Sequence, residues 1–316
     1  MQADSRPSRA PRTARARLAI DGVLLLDKPL GLSSNDALVR AKRVFQAKKA
    51  GHTGTLDPLA SGLLPLCFGE ATKFSQDLLE ADKQYRAELR LGQTTDTGDA
   101  EGRILLTRAV HCTPEQVEAA LARFRGPIEQ VPPMYSALKR DGKPLYEYAR
   151  AGQTVERAAR AVTIHALSCV DAVLEGSAPS LVLDVRCSKG TYVRTLAEDL
   201  GEMLGCGAHL SALRRTGVGA LDLAQAVTLE ALQADADPAR WLQPVDALLS
   251  SFPAVHLDAA LAQRFAQGQR LRLAPDAAPE TGRVRVYDAG TRLLGTAQFD
   301  AGRLAPERLL AQVVQG

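Results

Sequence analysis

The 316-residue chain is 46% hydrophobic and 24% charged, the proportions of an ordinary globular protein, and no apolar run approaches the roughly 18 residues a membrane helix needs. Its formal net charge of +3 is concentrated at the start, where Arg6, Arg9, Arg12, Arg15 and Arg17 face only Asp4, so the remainder is close to neutral and any surface for an anionic polymer must come from local patches. Five scattered cysteines without a C-x-x-C pair, and five histidines that do not cluster with them, point away from a disulfide framework and from zinc, and towards free thiols in a reducing cytoplasm.

Residues 1–20 read as a solvated basic tail outside the fold, with a transit peptide or an RNA-touching arm as the other readings. The apolar run from Gly22, stopped by Lys28 and Pro29, predicts a buried strand leading into a loop. Ser33, Ser34 or Asn35 then caps a helix whose apolar stripe is Ala37, Leu38, Ala41, Val44 and Phe45. Strict alternation of Tyr85, Ala87, Leu89 and Leu91 with Arg86, Glu88 and Arg90 predicts a strand. Thr113-Pro114-Glu115-Gln116 has the form of a capping box with proline at the first helical position, and Val117, Leu121 and Phe124 continue the helix to Gly126.

Alternation returns over 181–187, a Ser-Lys-Gly turn follows at 188–190, and Val193, Leu196, Ala197, Leu200 and Leu204 recur at helical spacing. Pro238, Pro244 and Pro253 interrupt the stretch from 232 to 256, which places a boundary near 250. Beyond it, a short helix near 258–267 precedes strands at 270–273, 283–287 and 293–299, with Asp288-Ala-Gly as a hairpin turn. The expected organisation is a large domain over 21–250 and a small β-rich one over 251–316. No phosphate-binding or dinucleotide glycine pattern occurs, so no cofactor is expected, and no metal.

The segment from Gly51 to Pro65 sets three glycines and two prolines around a single acid, Asp57. Aspartate before proline is a good helix start in itself, and that reading accounts for the pair without any chemistry. Tyr192 and Arg194 stand in the first turn of the later helix, where the macrodipole disfavours a cation, so Arg194 suggests a nearby anion, although solvent or any surface acid would also receive it. Tyr85 on its apolar face reads as a core tyrosine or as a platform for a base. The block 133–150 holds three of the six tyrosines among Lys139, Arg140, Lys143 and Arg150, the mixture RNA binding uses, although an exposed loop with incidental lysines has the same composition.

Four stretches taken in order resemble the TruB family of tRNA pseudouridine synthases: G-V-L-L-L-D-K-P-L-G-L-S-S-N at 22–35, G-H-T-G-T-L-D-P-L-A-S-G-L-L at 51–64, K-Q-Y at 83–85 with G-Q-T-T-D-T-G-D-A-E-G at 92–102, and C-S-K-G-T-Y-V-R-T-L at 187–196. The resemblance implies an α+β pseudouridine synthase fold, with a mixed, largely antiparallel central sheet flanked by helices and a small C-terminal PUA-like domain. It implies that Asp57 is the essential carboxylate, that Tyr85 stacks on the flipped base, that Arg194 pairs with Asp57 and that Tyr192 lines the same pocket. By the same resemblance His52 fills the space left by flipped nucleotides, Lys28 supports the site and Leu213 forms a pocket wall. The block 133–150 resembles part of an insertion that grips the tRNA T arm.

The implied activity is isomerisation of uridine 55 of tRNA, by a cytoplasmic monomer that needs no guide RNA or protein partner. Two other readings carry the same shape: an RNA-binding protein or tRNA-folding chaperone without the chemistry, and a guide-dependent synthase acting on another RNA.

Overall fold

The computed structural model describes residues 17–274 and 281–311. In chain order the first part contains β1 (Gly22–Lys28), α1 (Ser34–Val44), β2 (Ala50–His52), β3 (Ala60–Phe68), α2 (Ser75–Glu80), β4 (Lys83–Leu91), the ribbon β5 (Gln93–Thr95) and β6 (Ile104–Thr107), α3 (Pro114–Phe124), β7 (Gly126–Gln130), the hairpin β8 (Lys139–Arg140) and β9 (Lys143–Pro144), and α4 (Leu145–Arg150). There follow β10 (Arg160–Val173), β11 (Ser180–Cys187), α5 (Val193–Met203), β12 (Ala208–Val218), β13 (Leu221–Asp222), β14 (Val227–Thr228), α6 (Leu229–Ala234) and β15 (Leu242–Gln243). The last part contains β16 (Ala254–His256), α7 (Ala259–Ala266), β17 (Leu271–Arg272), β18 (Gly282–Tyr287), β19 (Leu293–Asp300) and β20 (Arg303–Leu309).

The main sheet runs β14-β1-β3-β12-β4-β11-β10-β7, with β2 and β15 on its margin and β13 folded back on β12. Only the β1–β14 and β3–β12 pairings are parallel, so the sheet is mixed and largely antiparallel, as expected. The second sheet runs β16-β18-β19-β20-β17.

Burial explains why the two ends of the main sheet differ in sequence pattern. Along β1, Leu24 and Leu26 enter one core with α1 and Phe68, while Val23 and Leu25 enter another with Phe74 and Leu249. Both faces are covered, and the strand is a continuous apolar run. Along β4, Lys83 is buried at the start and Ala87, Leu89 and Leu91 are buried against α3, α5 and β11, while Arg86 and Glu88 face solvent, and the sequence alternates. Tyr85 and Leu213 pack against both the core under β4 and the core under β1. The seam between these two cores is where the candidate site opens.

Several local expectations hold. Ser33 caps α1 by accepting from the Asp36 N–H, and Thr113 and Gln116 complete both bonds of the capping box. Three details differ. Residues 17–20, set outside the fold on sequence, join it: Leu18 bridges Ala47, its N–H donating to the Gln46 carbonyl at 2.8 Å, and Ile20 packs on the core; residues 1–16 lie outside the described residues. Asp57-Pro58 begins no helix, because a turn closed by Ala60 N–H donating to the Asp57 carbonyl at 3.0 Å leads directly into β3. The strand predicted at 270–273 is only Leu271–Arg272, and the strands β16 and β20 were not predicted at all.

Candidate active site

The loop that carries Asp57 is held from below. The Ser34 hydroxyl, buried at the start of α1, accepts from the Leu56 N–H at 2.7 Å and donates to the Leu56 carbonyl at 3.1 Å. Gly31 N–H donates to the Pro58 carbonyl at 2.9 Å, and the loop around Gly31 is itself held by Lys28, whose Nζ donates to the Pro29 and Leu32 carbonyls at 2.9 and 2.6 Å. Lys28 is fully buried, and that burial lowers its pKa to about 8. It therefore sits beneath the site and does not line it.

Arg194 is the second residue of α5 and reaches the Asp57 carboxylate, Nη2 to Oδ2, at 3.0 Å. Its Nη1 meets a second acid, Asp99, at 3.2 Å, and the fork is completed by the carbonyls of Tyr135 at 2.6 Å and Thr97 at 3.3 Å. Two carboxylates thus offset the unfavourable position of a cation at a helix N-terminus. The Arg194 side chain is 9% exposed and that of Asp99 5%, whereas Asp57 remains 52% exposed. The buried pair is a fixed base and Asp57 is its open end. Asp99 is held in turn through its Oδ1, which accepts from the Thr97 hydroxyl at 2.6 Å and the Glu101 N–H at 3.1 Å.

Tyr192 is the N-cap residue of α5, without a side-chain cap. Buried Gln130 substitutes: its Oε1 accepts from the Tyr192 N–H at 3.0 Å and its Nε2 donates to the Tyr192 carbonyl at 3.2 Å. Burial pushes the Tyr192 phenol above its ordinary pKa, and the Tyr85 phenol likewise.

A cavity of about 380 Å³ is lined by Asp57, Tyr85, Tyr192, Arg194 and Leu213 together with Lys83, Asp99 and Arg215. A second, of about 330 Å³, shares Asp57, Asp99 and Arg194 and is bordered by Tyr135, Tyr146 and Arg150. The block 133–150 thus enters the site with two of its three tyrosines, and Arg150 stands over the Tyr146 ring at 5.2 Å. His52 lines neither cavity; it ends β2, its Nδ1 is buried without a partner among the described residues, and burial lowers its pKa. Asp99, Gln130, Lys83 and Arg215 carried no role on sequence. Asp99 and Lys83 stood within quoted motif stretches, but the partners that define them are over 90 residues away or are backbone carbonyls.

Profiles of known families cover most of the chain: a TruB family pseudouridylate synthase N-terminal domain matches residues 42–193, a tRNA pseudouridylate synthase B C-terminal domain residues 194–250, and a pseudouridine synthase II TruB C-terminal domain residues 253–310. The tRNA pseudouridine synthase B of Burkholderia mallei is 71% identical over 95% of this chain and 97% of its own length. The chain belongs to the TruB family. Its relative of the same name in Cupriavidus metallidurans is 65% identical over 97% of this chain and 99% of its own length. The fold of a TruB family member extends to solved structures at low identity. One from a Cbf5-Nop10-Gar1 complex has a TM-score of 0.68 at 24% identity, covering 91% of this chain and 84% of that one. Another, from an H/ACA RNP bound to a substrate RNA containing 2'-deoxyuridine, has a TM-score of 0.67 at 22% identity, covering 92% and 85%.

Proposed function

We propose that this TruB family member isomerises uridine 55 in the T arm of tRNA to pseudouridine, acting alone, with Asp57 as its catalytic carboxylate. The observation that carries the reading is a half-exposed carboxylate fixed by a buried guanidinium at the mouth of a cavity large enough for a pyrimidine. The family's curated relatives are named as tRNA pseudouridine synthases, and their lengths match this chain.

A uridine in structured RNA cannot present C1′ or C6 to a carboxylate, so the nucleotide is flipped out at a cost of a few kcal/mol. Stacking on Tyr85 returns roughly 1–3 kcal/mol of that. Arg194 fixes the direction of the Asp57 carboxylate, and Asp99 prevents Arg194 from turning away. The carboxylate then attacks C1′, adds to C6, or removes the C2′ proton. The uracil turns within the cavity, and C5 rejoins C1′. A base takes the C5 proton, with Tyr192 or Asp57 itself in reach. Leu213 walls the cavity, Lys28 supports the Asp57 loop from below, and His52, outside both cavities, takes the place of flipped nucleotides. The 133–150 block grips the T arm through its basic groups and rings, the second sheet adds RNA contacts, and the work is done in the cytoplasm by a monomer.

The test is incubation of the protein with unmodified T-arm RNA, followed by carbodiimide labelling and primer extension. A single stop at position 55, absent with Asp57→Asn, is expected. Binding without any stop would favour the chaperone reading, and a stop elsewhere another RNA target.

A further inference from the structure

The buried side of the main cavity is built from two cations that the Asp57 chemistry leaves unused. Arg215 is 1% exposed and lies directly across from Tyr85 in the β4–β12 register, so the two side chains share one face of the sheet. Its Nε donates to the Leu63 carbonyl at 2.7 Å, its Nη1 reaches the Thr55 carbonyl only at 3.5 Å, and its Nη2 has no partner among the described residues. The Arg215 backbone is pressed against Gly62, where a Cβ would fall 2.3 Å from the Arg215 carbonyl oxygen, so β12 lies close against β3 at this position. Lys83 lines the same cavity with its ammonium held by the carbonyls of Leu78, Leu79 and Ala81 at 3.2, 2.7 and 2.6 Å.

Neither cation forms an ion pair among the described residues. Burial and the neighbouring guanidinium lower the Lys83 pKa to about 8, and burial lowers that of Arg215 as well. Burying cations that have carbonyl partners but no counter-charge still costs free energy, which an apolar cavity wall would avoid. The cavity is therefore polarised, with a carboxylate at its open side and positive charge at its buried side.

We propose that Arg215, reinforced by Lys83, binds a carbonyl oxygen of the target uracil through Nη2 and stabilises the negative charge the ring acquires when it leaves C1′. This inference rests on the function proposed above. When the C1′–N1 bond breaks, its electron pair stays on the ring and spreads over N1, O2 and O4, leaving C1′ electron-deficient beside Asp57. C5 then bonds to C1′, the C5 hydrogen departs as a proton, and N1 gains one, so composition is unchanged. Turning the ring about its N3–C6 line exchanges N1 with C5 and O2 with O4. One fixed donor thus meets a carbonyl oxygen before and after the rotation.

The experiment is single-turnover reaction of T-arm RNA with the full-length protein, carrying uridine or 5-fluorouridine at the target position, followed by nucleoside mass spectrometry for loss of the target. The fluorinated ring is more acidic and leaves with less help. Arg215→Gln is expected to slow the uridine reaction about a hundredfold, the loss typical of one removed transition-state donor, and the 5-fluorouridine reaction much less, with RNA affinity unchanged. Arg215→Lys is expected to recover part of the uridine rate. Equal losses on the two bases, or no loss, would overturn the inference.

If Arg215→Gln does not fold, the wild-type protein still decides: inhibition by free 5-nitrouracil should tighten as that base ionises, and tighter binding of its neutral form would refute an anion-stabilising wall. Wild-type protein that leaves uridine RNA unconverted removes the functional reading itself. Normal wild-type turnover with a base-insensitive Arg215→Gln removes only the role of Arg215.

Discussion

Asp57 keeps half its surface in solvent while the arginine that holds it does not, so the orientation of the carboxylate is set by its buried partners. Asp57→Asn removes the charge with little change of volume and should abolish product formation with RNA affinity nearly intact, as read by filter binding alongside primer extension. Asp99→Asn tests the fixed base: Arg194 loses one of two counter-charges, and single-turnover rate should fall by one to two orders of magnitude, the range for misplacing a catalytic group, again with binding retained. Lys83 gives a pH signature. Folded, it loses its proton at about 8, against 10.5 for the ordinary amine. Between these values the unfolded chain binds more protons, so Lys83 makes the fold more stable as pH rises, by at most about 1.4 kcal/mol per pH unit. The buried thiols of Cys67 and Cys187, pushed up to about 12 and about 11, act in the opposite direction above pH 9. Lys28, lowered to about 8 in the same way, adds a rise of the same sign, so urea unfolding between pH 7.5 and 9 should show a rise in stability of which Lys83→Met loses only its own part; identical pH slopes in the two proteins would contradict the burial of the Lys83 ammonium.

At the scale of elements, the motif residues are largely those that bring strands and loops close. Ser34→Ala would leave the Leu56 N–H buried without its partner, at about 1–3 kcal/mol, and loosen the Asp57 loop. The expected outcome is a lower melting temperature together with reduced turnover at unchanged RNA affinity. Strand alternation and caps were legible because they depend on neighbours in sequence: β4, α3, β11 and α5 lie where periodicity placed them. Asp57-Pro58 misled local reasoning, since aspartate before proline has a helix-start signature. The direct step into β3 is set by long-range pairing of Ala60 and Gly62 with β12, which no local pattern encodes. Strands β16 and β20 lacked a signal of their own and exist through the sheet they edge or complete. Candidate residues named by family resemblance converge on one cavity in the cases of Asp57, Tyr85, Tyr192, Arg194 and Leu213, while Lys28 and His52 lie outside it. Asp99, Gln130 and Arg215 were missed because what marks them is burial against partners distant in sequence.

Across the whole molecule, the second sheet is fastened to the catalytic one through the segment from Glu70 to Glu80. Arg283 on β18 bridges Asp77 of α2 and Glu307 of β20 and lies over the Phe252 ring at 5.0 Å. Lys73 donates to the Leu309 carbonyl at 2.9 Å, and the Ala311 N–H to Glu70 at 2.6 Å. The far end of the same segment reaches the cavity, where Leu79 lines the wall, the carbonyls of Leu78, Leu79 and Ala81 hold Lys83, and Glu80 pairs with Lys189 beside Gly190 and Thr191. The second sheet therefore braces one wall of the cavity at the candidate site as well as offering surface of its own. A double-mutant cycle on Asp77→Asn and Arg283→Met should give a coupling of about 1.5–3 kcal/mol in urea unfolding, since the pair is only slightly exposed and charge-assisted. If the brace matters for catalysis, both single variants lower the single-turnover rate on T-arm RNA and the double variant is no worse than either. If the two changes weaken RNA binding additively and leave the rate on bound RNA untouched, the second sheet serves the enzyme as an RNA-holding surface alone.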